Sequence, residues 1–406
     1  MQPGSVQWRN EQRRDILTFA RRSKRDERGF GWLDIDGGLD PDANLQLWIN
    51  ARMTYVFALA HLAGDPSADS PEANLQLAEH GIRALADFHD DEHGGWFAEI
   101  DVNGAPAQTG KFCYEHAFVL LAACAAAAAG AAGADELLED ATLVHRTRFW
   151  DSAAARCREE WNRDWSEVDG YRGANSNMHT VEAYLFAADV TGDDTWREHA
   201  LAICERIIGI HARGHAWRIP EHYDHDWTPI LNYNVEKPAD PFRPFGATPG
   251  HAFEWARLLV QLAAGLAEPR PWMQEAAEGL FAQAVRDAVS DEAPALPYTT
   301  DWNGQPVVEE RFHWVIAEAV LAAHALEAYT GESVYDGFAR RWWSEIDEYF
   351  VDPEGGSWCH ELSATMGVSA RTWPGKPDAY HAFNAVTLPS LPLAPSPATT
   401  IDRLAP

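Results

Sequence analysis

Five histidines and one arginine recur at similar places in the apolar, helix-like stretches of this chain. His116 follows Tyr114-Glu115, and His179 follows Asn177-Met178. His251 follows Gly250 and stands three residues before Glu254. His313 follows Arg311-Phe312 and precedes Glu318, and His381 follows Tyr380. In the first such stretch the place is taken by Arg52, after Trp48 and Asn50. Histidine titrates near neutrality and can take and return a proton, and a fixed arginine stabilises a developing oxyanion. A lone histidine on an apolar face is more often structural. Recurrence at corresponding positions in an apolar layer points instead to one shared site. Tryptophan stacks on the C–H faces of sugars, and 18 residues of this chain are Trp. The candidate ligand-contacting set is therefore Trp48, Asn50, His116, Asn177, His313, Trp314 and Trp373.

A histidine cluster serves either a metal or acid/base chemistry. Neutral imidazole suits Zn, Fe or Ni. The local metal candidate is His222-Tyr-Asp-His225-Asp226, which lies in loop-like sequence without the i,i+4 spacing of a helical site. The metal-free alternative needs positioned bases. His251 and Glu254 are three apart, hence on one helical face, and the carboxylate is expected to orient the imidazole. The residues by themselves leave both readings open.

Such residues need elements that aim them at one place. Apolar 3.6-residue periodicity and breakers predict about twelve helices, over 7–22, 44–63, 72–89, 111–130, 135–157, 176–191, 194–212, 249–266, 271–290, 309–330, 332–350 and 378–390. Strand-like alternation is confined to loop pieces such as 96–102. Aromatic-glycine loops at Gly31-Trp32, Gly94-Gly95-Trp96, Asp169-Gly170-Tyr171, His215-Ala216-Trp217, 297–304 and Gly355-Gly356-Ser357-Trp358 separate helix pairs. That makes one hairpin per roughly 60–70 residues. The even-numbered helices are Ala-rich and apolar, and the odd ones carry more charge, as inner and outer layers should. The expected fold is an all-α (α/α)6 barrel spanning 1–406 as a single domain, with an open superhelix as the alternative.

Composition limits the partners. Asp plus Glu is 62 against 32 Lys plus Arg, a formal charge of -30. Such a surface repels phosphate backbones and anionic headgroups, so neither nucleic acid nor membrane is an expected partner. No apolar run approaches the roughly 20 residues a bilayer needs, and the polar start has no secretory leader pattern. Cys113, Cys124, Cys157, Cys204 and Cys359 are scattered and odd in number, as expected of free thiols in a cytoplasmic protein.

The motifs together are recognisable. They are Gly29-Phe-Gly-Trp-Leu-Asp34, Leu47-Trp-Ile-Asn-Ala-Arg-Met53, Tyr114-Glu-His-Ala-Phe-Val-Leu120 and Asn177-Met-His-Thr-Val-Glu182. Further on come Arg243-Pro-Phe-Gly-Ala-Thr-Pro-Gly-His251 through Glu254-Trp255, Arg311-Phe-His-Trp314 and Ala379-Tyr-His-Ala-Phe383. In this order the chain resembles the N-acylglucosamine 2-epimerase superfamily, and within it the branch of D-mannose and sulfoquinovose isomerases. The resemblance implies an (α/α)6 barrel and metal-independent chemistry, and on that ground no metal and no cofactor are expected. It implies that Arg52 stabilises enediolate charge and that His179 contacts substrate. It further implies that His251 and His381 are the acid/base pair, that Glu254 partners His251, and that Arg243 approaches the distal end of the sugar.

Aldose–ketose isomerisation moves a proton from C2 to C1 through a cis-enediol after ring opening, and these residue types suit it. The expected activity interconverts D-mannose and D-fructose, with D-lyxose and D-xylulose as further substrates. The expected partner is thus a small neutral monosaccharide, handled by a monomer or homodimer. Sulfoquinovose isomerisation and sugar 2-epimerisation are the alternatives within the superfamily. A glycoside hydrolase, which needs two carboxylates about 5–10 Å apart, and a non-catalytic sugar-binding protein are the alternatives outside it.

Overall fold

Stretches of Ala, Leu and aromatic residues with few charges form helices buried on all sides, whereas stretches with one charged face bury a single stripe. The structure, a computed structural model, describes residues 1–65, 72–290 and 293–401. Helix α1 (Val6–Ala20) comes first. Five pairs follow: α2 (Leu47–Leu62) with α3 (Ala73–Phe88), α4 (Cys113–Ala128) with α5 (Ala134–Val144), α6 (Ala174–Thr191) with α7 (Thr195–Cys204), α8 (Pro249–Gly265) with α9 (Pro271–Ala288), and α10 (His313–Thr330) with α11 (Val334–Glu345). Then come α12 (Tyr380–Thr387) and the single turn α13 (Pro397–Thr400). The first member of each pair is the buried one; in α2 every residue from Leu47 to Ala60 is buried. The fold is all-α, as expected, and no helix among the described residues is long and apolar enough to cross a membrane.

The chain gathers into two units. One holds Met1–Ile16, Cys204–Lys376 and His381–Ala394; the other holds Leu17–Ile203, Pro377–Tyr380 and the described part of Pro395–Pro406. In the former, α8 packs on α9 and α10, and α10 on α11. In the latter, α2 packs on α3 and α4, α4 packs on α5 and α6, and α13 lies against α2, α4 and α6.

The helix expected over 135–157 stops early. After α5 the chain makes a wide turn, His145–Phe149, and then a hairpin pairing Trp150–Asp151 with Arg156–Cys157. The run Ser152-Ala-Ala-Ala155 looks helical, but the Asp151 carboxylate accepts the N–H of Ala153 at 3.0 Å and Ala155 turns to φ 54°. An aspartate that caps the backbone two residues on favours a turn over a helix interior. Asp90 and Asp352 take the amides of Glu92 and Glu354 in the same way. The three turns are one repeated device.

The buried helices begin from extended residues: Gln46 (φ -99°), Phe112 (φ -103°), Gly173 (φ -121°), Thr248 (φ -106°) and Phe312 (φ -101°). None of these side chains caps its helix. Short strand pairs fix several of the starts instead. Leu45–Gln46 pairs with Glu99–Ile100, Lys111–Phe112 with Glu160–Trp161, and Arg311–Phe312 with Glu361–Leu362, all antiparallel. Each ladder sets the rotation at which its helix enters, and so decides which side chains of the first two turns face which way.

Candidate active site

Helix rotation sorts the candidate residues. Counted from the first residue of each buried helix, the second and sixth positions share one face, and the fourth lies about 200° round from the second. The second position holds Trp48, Tyr114 and Trp314; the sixth holds Arg52, Phe118, His179, Glu254 and Glu318. The fourth position holds Asn50, His116 and Asn177 in α2, α4 and α6.

Those three fourth-position side chains are clamps on the preceding loops, which corrects their expected role in substrate binding. Asn50 Oδ1 accepts the N–H of Phe30 at 2.8 Å, and its Nδ2 donates to Phe30 O at 3.2 Å. Asn177 does the same to Cys157, at 2.8 and 3.2 Å, and also donates to Gly173 O. His116 Nε2 accepts the N–H of Trp96 at 3.1 Å while Nδ1 faces Phe112 O at 2.7 Å. Burial, the largest influence, drives the His116 pKa well below the usual histidine range, consistent with a neutral ring accepting at Nε2. Asn177→Ala leaves the buried N–H and C=O of Cys157 unsatisfied, at a cost of about 2 kcal/mol. An unfolding free energy lowered by that amount, with ligand affinity unchanged, is the expected result of urea titration; weakened ligand binding at unchanged stability returns Asn177 to the ligand.

In the unit built on α2, α4 and α6, Arg52 is the centre. Its guanidinium donates to Tyr114 Oη at 2.8 Å and to Asp378 Oδ2 at 3.2 Å. The rings of Phe118, Tyr380 and Trp48 enclose it at 4.3, 4.9 and 5.0 Å. Burial opposes its charge, but Asp378 and the tyrosine oxygens more than offset this and hold its pKa above the ordinary value. Its buried Nε–H makes no hydrogen bond among the described residues. Trp48 is thus a wall of the arginine's cage. His179 packs on Phe118 and Tyr114, with ring centres 4.7 and 5.3 Å apart. Tyr380 Oη donates a hydrogen bond to the Glu182 carboxylate. Tyr114, Asp378 and Tyr380 join the site without being marked out as site residues by the sequence. Tyr114 sits at the second position of its helix and could have been found by register; Asp378 lies outside any helix.

In the other unit, the ring of Trp314 lies against two histidines, 5.2 Å from His251 and 5.8 Å from His381. Gly250 makes room for it, since a Cβ there would come within 2.4 Å of the indole. His381 Nδ1 meets Glu318 Oε1 at 2.9 Å. A carboxylate at Nδ1 selects the tautomer that leaves Nε2 for chemistry. Arg257 Nε donates to the other oxygen of Glu318 at 3.1 Å, and Arg257 Nη2 to Glu254 at 3.3 Å. Glu254 is therefore tied to Arg257 and, through it, to the carboxylate behind His381. Its expected pairing with His251 is not what the structure holds: His251 Nδ1 lies 3.0 Å from Glu221 Oε1. The i,i+3 spacing put Glu254 on the right helix, but its side chain turns toward α10.

His313 stacks on His360 at 3.8 Å with its Nδ1 at His360 O. It stands 6.3 Å from the His381 ring. Arg243 and Trp373 are half-buried in loops. Asp240 accepts the N–H of Arg243 at 2.8 Å, Glu361 accepts that of Trp373 at 2.7 Å, and Trp373 packs edge-on to Phe242. The His222–His225 pair does not converge. His222 is buried with Nε2 at Pro244 O, and His225 is exposed beside Asp226.

The profile of the family described as N-acylglucosamine 2-epimerase matches residues 29–385, nearly the whole chain. The chain belongs to the N-acylglucosamine 2-epimerase family. Membership places it among enzymes of the isomerase class. A D-mannose isomerase of Thermobifida fusca is 47% identical over 392 residues, covering 96% of this chain and 95% of the relative. One from Pseudomonas cannabina pv. alisalensis is 46% identical, over 99% and 96%. A crystal structure of D-mannose isomerase superposes with a TM-score of 0.87 at 28% identity, over 94% of this chain and 97% of that one. The solved family members are of the (α/α)6-barrel class expected from the sequence.

Proposed function

We propose that this enzyme interconverts D-mannose and D-fructose, and by the same chemistry D-lyxose and D-xylulose, without a metal ion. The observation that carries the reading is the pair His251 and His381, set against one indole and each with a carboxylate at Nδ1. One Nε2 serves ring opening and the oxygen-bound protons. The other removes the C2 proton and returns it to C1, while O2 loses its proton and becomes the ketose carbonyl. Arg52 holds the charge that develops on the enediolate oxygens, the task a divalent ion would otherwise perform. Of the acids a hydrolase would require, Glu254 and Glu318 are committed to Arg257, which supports isomerisation over glycoside cleavage. A small neutral monosaccharide and a cytoplasmic setting complete the proposal.

The test is a panel of free aldoses in heavy water, run before and after exhaustive chelation. Mannose is expected to give fructose bearing partial deuterium at C1, at a rate unaffected by EDTA. Activity lost to EDTA and restored by one divalent ion overturns the metal-free reading. Glucose in place of fructose makes the enzyme a 2-epimerase. Deuterium-free product at an undiminished rate means a hydride shift.

A further inference from the structure

We infer that Glu221 is the positioning residue of His251: its carboxylate receives the Nδ1–H and thereby aims Nε2 at the substrate. The inference rests on the proposed isomerase chemistry for its catalytic meaning, though not for its geometry.

Glu221 lies in the extended segment leading into His222–Tyr223, 30 residues before His251 in the chain, and its side chain is 3% exposed. Neither carboxylate oxygen makes a hydrogen bond among the described residues, and neither does His251 Nδ1. Yet Oε1 and Nδ1 are 3.0 Å apart. The two atoms are at bonding distance but form no hydrogen bond as they stand, and a turn of the imidazole is needed to align them. A carboxylate withdrawn from water without a partner costs several kcal/mol, so the alignment is strongly favoured once a proton sits on Nδ1.

The other groups nearby do not compete. His222, next in the chain, is disfavoured from charging first of all by burial, which lowers its pKa, and its Nε2 is at Pro244 O. Arg243 acts electrostatically on His222. Arg218, three residues earlier, is held by Asp287 through two hydrogen bonds at 2.7 and 2.8 Å. On α8 itself Glu254 is turned to Arg257, and from α10 the Trp314 ring covers His251. His381 is on the same indole, with Glu318 as its own carboxylate. Among the described residues the ion-pairing partner of Glu221 is His251.

The two histidines are therefore served unequally. Glu318 divides its ion pairing between His381 and Arg257, whereas Glu221 pairs with His251 and otherwise acts only electrostatically on the neighbouring His222. Orientation and tautomer selection by a buried carboxylate is the means by which an acid/base histidine is held ready.

The experiment compares Glu221→Gln, Glu221→Asp, His251→Asn and the double variant Glu221→Gln/His251→Asn with the full-length enzyme. Glu221→Gln is expected to lower kcat by about 100-fold, with KM within about two-fold and the thermal midpoint not lowered; Asp recovers part of the loss. The double variant is expected to match His251→Asn alone, because the carboxylate acts only through that ring. A purely structural Glu221 would instead lower stability and add its effect to that of His251→Asn. A Glu221→Gln enzyme with near-native kcat, or additive effects, overturns the inference while leaving the isomerase reading intact. If no sugar is turned over by the native enzyme, NMR of the imidazole protons still decides. A downfield Nδ1–H present in the native protein and lost in both single variants supports the pair. Its absence, or its loss in Glu254→Gln but not in Glu221→Gln, refutes it.

Discussion

His381→Asn is expected to lower kcat by about 1,000-fold or more, with the protein still folded. General acid/base groups contribute about 100- to 10,000-fold, and a residue used in both halves of a proton transfer stands in the upper part of that range. His381 is suited to the role because its Nδ1 is taken by Glu318 at 2.9 Å and its ring is held on Trp314. Asn keeps a polar contact to Glu318 but has no titratable nitrogen. Glu318 retains Arg257 in the variant, so no buried carboxylate is left without a cation and the thermal midpoint moves little. His251→Asn is expected to produce a loss of similar size. The double variant His251→Asn/His381→Asn is scarcely slower than either single one, since groups that act as a unit are not additive. Steady-state rates with mannose, together with deuterium incorporation from heavy water, check this. A His381→Asn enzyme within about ten-fold of native, or a double variant with multiplied losses, assigns the proton transfer to another residue.

The helices and the chemistry-bearing residue types were legible because both are local. A period of 3.6 and an aromatic-glycine loop are properties of short stretches, whereas the turn at Asp151 hides inside a run that reads as helix. The faces were harder to read. Residues two apart on a helix differ by about 200°, so Asn50, His116 and Asn177 face away from Arg52, Phe118 and His179 and clamp loops although they stand in the same motifs. The carboxylate partners were the least legible. Both the i,i+3 spacing and the family resemblance pair Glu254 with His251, yet its side chain turns to Arg257, and the carboxylate beside His251 comes from a loop 30 residues earlier. The cage of Arg52 draws Tyr114 from α4 and Asp378 from a loop 326 residues away, a separation that no periodicity signals. Tyr114, at the same helix position as the expected Trp48 and Trp314, shares their register.

Arg52→Ala is expected to lower kcat by about 100-fold or more, the usual loss when a donor that meets developing charge is deleted. The same change also exposes a structural liability. Asp378 is 5% exposed and paired with the guanidinium, and removing one partner of a buried ion pair costs about 3–5 kcal/mol. A low rate from Arg52→Ala alone could then reflect unfolding. Arg52→Gln combined with Asp378→Asn removes both charges, keeps hydrogen-bonding groups in the cage and separates the two effects. It should regain most of the stability and none of the rate. Arg52→Lys should keep the charge among the rings of Trp48, Phe118 and Tyr380 but recover kcat poorly. An ammonium cannot donate in the fixed fork that reaches Tyr114 and Asp378 together and still present the guanidinium's remaining Nε–H to an oxyanion. Thermal midpoints and kcat measured side by side on the three variants decide between the roles. A double variant that is both stable and active shows Arg52 to be a scaffold for its ring cage, with the enediolate charge held elsewhere.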